Sequence, residues 1–560
     1  MTSRRAALLL PAFSLRREAG LGIGDTRSLH EWIDLVADHG VGVIQLLPIN
    51  EMGTDDSPYN AISSVALEPL YLAMEEVPGV EESDLQSARA QVAQGSLHRV
   101  DYSLARKVKQ PLLEAAWKNW PSAEPNLHDE FAQFRAEEAD WLEDYCAYRW
   151  LMELNGGAEA WDQWPARLRS VEGGRAILQA HLVENPERVR RRLDFFAWIQ
   201  WLCYRQWRQV RQHADERSIL LMGDIPIGVS RNSADVYFGR SDFDLDWCGG
   251  APPETVFKHD RFIRKWGQNW GIPLYRWGKM EREGFPWWKR RIRKLVDVFH
   301  LFRIDHVLGF YRIYGFPWTP DRNQEFIDLT RKQAAKLTGG PLPGWVPRPD
   351  DTKKNQKANC DDGDRRLRMV LEVAGQDAVI GEDLGCVPDY VRPHLYSLGI
   401  CGFRVPHWDF DEDGQVIPGD EIPETSFATY ATHDHDSIPA MWEDFLHRAA
   451  STAEDEDDRE EAAEVLNRLA DFGGIKKRGA FQVETLWKLI DRLMACRSRY
   501  AAIMITDLLN MTERINQPGT VGNHNWSLFL SKTAAEYRGD PVWKRLELSI
   551  SKGGRSRLDE

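Results

Sequence analysis

The chain has 560 residues, 42% of them hydrophobic and 28% charged. That composition belongs to a folded globular protein and excludes wholesale disorder or a collagen-like repeat. Such a length holds up to about four domains of ~150 residues, or one (β/α)8 barrel of ~250 residues enlarged by insertions. With 71 Lys and Arg against 86 Asp and Glu, the net charge is −15. A general binder of nucleic acid or of anionic membrane is therefore disfavoured, and a neutral substrate fits most easily.

The elements follow in chain order. Residues 6–10 form a first apolar run, behind Arg4 and Arg5. It looks like the start of a signal peptide, but Pro11 ends it short of the usual ~7–15 residues, so a buried strand is expected. A helix is predicted over 28–39 and a second strand over 41–47. From about 75 to 215, Ala, Arg, Glu and Trp recur at helical spacing, which reads as an inserted helical subdomain. A third strand is predicted at 219–223, then a Gly/Pro/Trp-rich insertion at about 238–284, a helix at 287–299 and a fourth strand at 300–304. Residues 341–364 read as a polar loop, 365–374 as a helix, and 378–381, 400–404 and 427–432 as strands five to seven. A largely helical insertion follows at about 440–498. Its acidic run at 454–464 reads as a solvated helix face or mobile loop. The eighth strand is placed at 501–506, and the polar tail after Lys552 is expected to fray. Eight strands alternating with helices make an α/β protein, a (β/α)8 TIM barrel carrying insertions, with 1–560 as one catalytic domain. No run of about 18 apolar residues exists to span a membrane.

Seven cysteines, at 146, 203, 248, 360, 386, 401 and 496, are odd in number and widely spaced. They read as reduced thiols of a cytoplasmic protein. The 23 Trp, 15 Tyr and 22 Phe mostly serve the core, yet flat aromatic faces also suit the C–H faces of sugar rings.

Reactive groups of a barrel of this kind sit at the C-terminal ends of its strands. Strand four ends Arg303-Ile304-Asp305-His306. Arg303 and Asp305 are two apart and share a face. Arginine beside that carboxylate would keep it ionised and aimed, as a nucleophile requires; a structural ion pair is the competing reading. Strand five ends Gly381-Glu382-Asp383-Leu384-Gly385, and Glu382 is a candidate general acid. Strand seven ends Thr432-His433-Asp434-His435-Asp436. Retaining glycoside cleavage needs two carboxyl groups about 5–5.5 Å apart, one nucleophile and one acid/base, which neighbouring strands can supply. A third carboxylate would hold sugar hydroxyls.

A rival reading makes His433, Asp434, His435 and Asp436, with Asp305 and His306, a metal site. It expects histidines at further strand ends, which strands one and five do not offer. The run Gly20-Leu21-Gly22-Ile23-Gly24 hints at a nucleotide loop, but neither GxGxxG nor GK[ST] is present. A tight turn over the barrel mouth is the expected role.

At these residues the sequence resembles the 4-α-glucanotransferases of the amylomaltase or disproportionating-enzyme type, relatives of the α-amylases. The resemblance runs over nearly the whole chain. It is carried by Gly22-Ile23-Gly24-Asp25, Ser57-Pro58-Tyr59-Asn60, Gly223-Asp224-Ile225-Pro226, Ser233-Ala234-Asp235-Val236, Gly267-Gln268-Asn269-Trp270-Gly271, the three strand ends above, Asn516 and Asn525-Trp526. The resemblance implies Asp305 as nucleophile, Glu382 as acid/base and Asp434 as transition-state stabiliser. It further implies substrate contacts from Tyr59, Asp235, Gln268, Trp270, Arg303, His433 and Asn516. The implied reaction moves a segment of an α-1,4-glucan donor to a glucan or glucose acceptor, with no metal or organic cofactor and no nucleic-acid or membrane partner. A plain α-glucan hydrolase and a non-catalytic glucan binder are the alternatives. Three positions depart from the family pattern: His435 where Asn is frequent, Gln517 where a small apolar residue is common, and Leu528 where a second Trp is usual. The stretches 303–317 and 369–388 look closer to the plant cytosolic branch, whose starch-binding modules this chain lacks.

Overall fold

The computed structural model describes residues 4–95, 98–254, 260–452, 455–520 and 522–555. Among the described residues twelve strands are formed: β1 (Arg5–Leu9), β2 (Val43–Gln45), β3 (Leu220–Ile225), β4 (Phe243–Ala251), β5 (Gln268–Tyr275), β6 (Leu301–Ile304), β7 (Ile313–Phe316), β8 (Gly344–Val346), β9 (Val379–Gly381), β10 (Cys401–Arg404), β11 (Ser426–Thr429) and β12 (Tyr500–Met504). Eight of them, β1, β2, β3, β6, β9, β10, β11 and β12, close into a parallel barrel in that order. They are the eight strands expected from the apolar runs.

Alternation decides which side chains fill the barrel. Ala7, Val43, Met222, Leu301, Ile380, Cys401, Phe403, Phe427, Tyr500 and Ala502 form its interior cluster. The rings of Phe403 and Phe427 stack there at 4.8 Å. Residues of opposite parity, such as Leu8, Ile44, Leu221, Phe302 and Ile304, join the outer core against the helices. The first helix, Thr26–Asp38, shows how that shell is built. It buries Leu29, Trp32, Ile33 and Val36, at i, i+3, i+4 and i+7. Asp25 caps it by accepting from Ser28 N at 2.8 Å. The 20–24 glycine run leads into this cap. Gly24 is obligatory, because a Cβ there would lie 1.8 Å from Ala12 O. None of these five residues lines the central cavity, so the run is a packed turn beside the first helix and not a cover over the mouth.

A second, four-stranded antiparallel sheet stands at the rim in the order β5-β4-β7-β8. Two strands come from the Gly/Pro/Trp-rich stretch and two from the segment after β6. Its own core includes Phe262, Trp266, Phe316, Trp318 and Phe326, with Trp318 and Phe326 stacked at 3.7 Å. The expected polar loop at 341–364 is corrected on two counts. It contributes β8, and its second half is already helical, since the helix Lys353–Ala374 is capped by Thr352 Oγ1, which accepts from Asn355 N at 3.1 Å. The tail does not fray at Lys552 either. Arg555 is buried and donates to Met494 O at 2.7 Å, Cys496 O at 2.8 Å and Ser498 O at 3.0 Å. In the acidic run, 453 and 454 lie outside the described residues; 456–464 belong to the helix Glu456–Phe472, in which Asp458 is buried. Among the described residues no helix is long and apolar enough to cross a membrane.

Candidate active site

The C-terminal rim of the barrel opens into a cavity of about 1860 Å³. Arg303 lies at its floor. Met222 pairs in register with Leu301 and Asp224 with Arg303, so parity turns Asp224 and Arg303 inward above the apolar interior. Arg303 is buried and donates to Asp224 Oδ2 at 2.6 Å and to Asp305 Oδ1 at 2.7 Å. Its Nη2 also stands 4.0 Å from Glu382 Oε2. The gap between those Asp305 and Glu382 oxygens therefore cannot exceed about 6.7 Å, the sum of the two distances. That bound is compatible with the ~5–5.5 Å that separates the carboxyl groups of retaining sites.

Backbone bonds fix both carboxyl groups. β6 and β9 are neighbours in the barrel. Asp305 N donates to Ile225 O at 2.9 Å, and Glu382 N to Ile304 O at 3.0 Å. Past Asp305 the chain enters a left-handed turn at His306, φ 50°. There His306 N donates to Glu382 Oε2 at 2.7 Å and Val307 N to Glu382 O at 3.0 Å. Burial pushes the Glu382 carboxyl up to about 8 against the pull of Arg303, and the Asp305 charge adds to the rise. Burial likewise raises Asp224 to about 6, opposed by Arg303. Asp383 turns outward instead and pairs with Arg392 and Arg404.

Asp434 sits beyond the end of β11, in the turn that follows Thr432 and His433. Burial alone would raise its carboxyl. His433, 3.3 Å away, and Asn516 Nδ2, donating at 2.6 Å, hold it below the ordinary carboxylate range. His433 stacks on Tyr59 at 5.1 Å, and Trp526 closes the group at 5.6 Å from Tyr59. The Tyr59 hydroxyl donates to Asp224 Oδ2 at 2.7 Å, which links the aromatic wall to the Arg303 network. On another side of the cavity β5 presents Gln268 and Trp270. Trp270 is 37% exposed and meets His306 edge-on at 5.0 Å. Burial lowers His306 to about 4 and keeps its ring neutral.

Nine of the ten residues singled out in the sequence thus line one cavity: Tyr59, Gln268, Trp270, Arg303, Asp305, Glu382, His433, Asp434 and Asn516. Asp235 is the exception and a correction. Its carboxylate accepts from Ser64 N at 2.7 Å, Ser64 Oγ at 2.6 Å and Trp287 Nε1 at 2.9 Å, and it does not line the cavity. Both oxygens are taken up in tying a loop to a helix. The metal reading loses its geometry as well. His435 turns to Thr432 Oγ1 at 2.8 Å and Asp436 to Arg514 at 3.2 Å, so the four residues do not converge. Among the described residues no group of three or more His, Cys, Asp or Glu is placed to hold a metal ion. Asp224 escaped the sequence reading, although it stands at a strand end with the parity of a rim residue.

Fold and cavity together define a class, the (β/α)8 barrels with carboxyl groups and aromatic walls at the mouth. Residues 10–533 match the family described as 4-alpha-glucanotransferase, and the chain belongs to that family. It is 30% identical over 547 residues to a 4-alpha-glucanotransferase of Thermus thermophilus, covering 95% of this chain and 96% of the relative. It is 29% identical over 533 residues to one of Chlamydia caviae, covering 93% and 89%. Among solved structures, an amylomaltase from Streptococcus agalactiae in complex with acarbose superposes with a TM-score of 0.77 over 99% of this chain and 100% of that one. At 21% identity that last likeness is one of fold.

Proposed function

We propose that the chain is a 4-α-glucanotransferase that moves a segment of an α-1,4-glucan to another glucan or to glucose by retaining double displacement. The observation that carries this reading is the placing of Asp305 and Glu382 about one guanidinium nitrogen of Arg303. Arg303 holds Asp305 by Oδ1, and the other oxygen attacks the anomeric carbon. The glycosidic C–O bond breaks as the ester to Asp305 forms, and the departing chain takes the proton of Glu382. Glu382 then removes a proton from an acceptor hydroxyl, whose oxygen displaces Asp305 and restores the α configuration. An acid raised to about 8 carries that proton at neutral pH. Asp434, held ionised, stabilises the positive charge that develops on the sugar ring. Tyr59 and His433 form the wall on which the donor sugar rests; Gln268 and Trp270 contact the chain on another side; Asn516 positions Asp434.

No step of this scheme calls for a cofactor. The seven free cysteines support a cytoplasmic setting, and the net charge of −15 supports glucan partners over nucleic acid or membrane. We read 1–560 as one catalytic unit in which about 75–215, 238–284 and 440–498 are insertions. Purified protein incubated with maltotriose alone tests the proposal. Transfer yields a ladder that includes maltotetraose and longer chains together with glucose, with the new bonds in the α configuration. Products confined to glucose and maltose would make the chain a hydrolase, and no turnover would overturn both readings.

A further inference from the structure

A second cavity, of about 340 Å³, lies between the small sheet and the helix Lys353–Ala374. Ile272, Leu274, Ile313 and Val346 of β5, β7 and β8 wall it, together with Ile227 and Pro347. Ile227, Gly228 and Ile272 line the central cavity as well, so the wall between the two spaces is one residue thick there. That wall is closed at Gly228, where a Cβ would lie 2.3 Å from Ile272 Cδ1. The volume falls near the lower end of the ~300–1,000 Å³ of small-molecule sites, which are mostly apolar with a few placed polar groups.

The polar groups of this cavity form one cluster. Asp362 accepts from Arg348 at 2.8 Å and from Arg365 at 2.6 Å, and Glu281 accepts from Arg365 at 2.6 Å. Both carboxylates are thereby matched, and Arg366 is left over. Its guanidinium is buried, lies 4.4 Å over the Trp277 ring and donates from Nη1 to Phe310 O at 2.6 Å. Asp362 Oδ2 stands 4.0 Å from Nη2, beyond hydrogen-bond reach. Nε and Nη2 are unbonded among the described residues, yet they keep surface open to a ligand. Burial lowers Arg366 to about 10, against the pull of Asp362. Three arginines against two carboxylates leave this end of the cavity with one positive charge in excess.

We propose that this cavity is a binding site for a small organic monoanion, an apolar body ending in one carboxylate. The body lies among the isoleucine and leucine side chains. The carboxylate accepts from Nε and Nη2 of Arg366, a fork whose spacing matches its two oxygens. A single charge suits the cluster because the excess is one; a phosphate dianion would face Asp362 and Glu281 with a charge unmatched. The ligand is not the glucan, and the site stands whether or not the proposed transferase activity does.

The test is calorimetric titration with 3-phenylpropionate and with its neutral isostere 3-phenylpropionamide. Wild type should bind the carboxylate at one saturable site and at least about tenfold tighter than the amide, the order expected for hydrogen bonds to a charged group. Arg366→Met should abolish that preference. Gly278→Phe provides a second variant. Gly278 lines the cavity, is exposed, and a Cβ there meets nothing nearer than Arg282 Nη1 at 3.6 Å, so the ring adds bulk at the opening without disturbing the core. It should weaken the carboxylate at least about tenfold, and it reads the location even if Arg366→Met does not fold. Neither residue lines the central cavity, so binding there is not what these variants report. No saturable binding to wild type at millimolar concentration, or equal affinity for acid and amide, overturns the site. So does wild-type affinity for the carboxylate in a folded Arg366→Met or Gly278→Phe variant.

Discussion

Asp305 and Glu382 are chemically similar side chains made different by their neighbours. One accepts a short bond from a buried guanidinium; the other is desolvated, takes a single backbone N–H and faces the first one's charge. In the proposed reaction this difference in environment suits one to act as nucleophile and the other as acid. Asp305→Asn should lower turnover by at least about a thousandfold, since an amide cannot form the glycosyl ester. Assay of repurified variant on maltotriose decides it, and substantial residual transfer would displace Asp305 from the role. For Glu382 the sign follows from the raised value. The carboxyl is neutral below about 8 and ionises above it, so the alkaline limb of kcat/KM should fall through that value. Glu382→Gln should lose that limb and keep cleaving donors whose leaving groups need no proton, with added azide trapped as a glycosyl azide. If natural and activated donors lose rate equally, the acid is another group.

At the scale of elements, Asp235 shows where motif reading and geometry part. It lies in a stretch that resembles the family, yet its three donors join the loop at Ser64 to the helix Pro286–Val296 through Trp287. Asp235→Ala leaves those buried donors unmet, at a cost of about 1–3 kcal/mol. The expected result is a lower melting temperature with KM for maltotriose within about twofold of wild type. A large KM rise at unchanged stability would return Asp235 to substrate contact. The same contrast explains what was legible in the sequence. Barrel strands are continuous apolar runs because both faces are covered, so all eight stood out, and reading their ends gave Asp305, Glu382 and the His433–Asp434 pair. The small sheet did not stand out. Its strands β4 and β5 carry register shifts and mix Gly, Pro and Trp, and β7 and β8 come from a segment where no strand was expected. Asp224 went unmarked because what distinguishes it, its register opposite Arg303, exists only once β3 and β6 pair.

For the molecule as a whole, burial sets two opposed groups of titrating side chains. Glu382, Glu68, Asp224 and Asp507 are raised by burial to about 8, 7, 6 and 6. Each is neutral in the fold at pH values where the unfolded chain has already ionised. Their contribution to stability therefore falls as pH rises from the unfolded carboxyl range, about 4, to each folded value. His30, His306, His407 and His435 are lowered by burial to about 4, 4, 3 and 4. They stay neutral in the fold while the unfolded chain protonates, so their contribution falls as pH drops below about 6.5. Between about pH 5 and 6 the four carboxyl groups and the four imidazoles nearly cancel, and the melting temperature should be close to flat. Above about 6.5 the imidazoles are neutral in both states, Glu68 and Glu382 remain out of step, and Lys109, lowered by burial to about 8, begins to oppose them only as pH approaches that value. Unfolding then releases protons, and stability should decline from there to about pH 8. Thermal melts in buffers of constant ionic strength check the shape, and a melting temperature that climbs from pH 6.5 to 8 would contradict it. The Glu382 share can be isolated, because glutamine cannot ionise in either state. The gap in melting temperature between Glu382→Gln and wild type should widen in favour of the variant from pH 5 to 8. A gap that stays constant with pH would mean that Glu382 is already ionised in the folded protein, and the proton assigned to it for leaving-group departure would have to come from elsewhere.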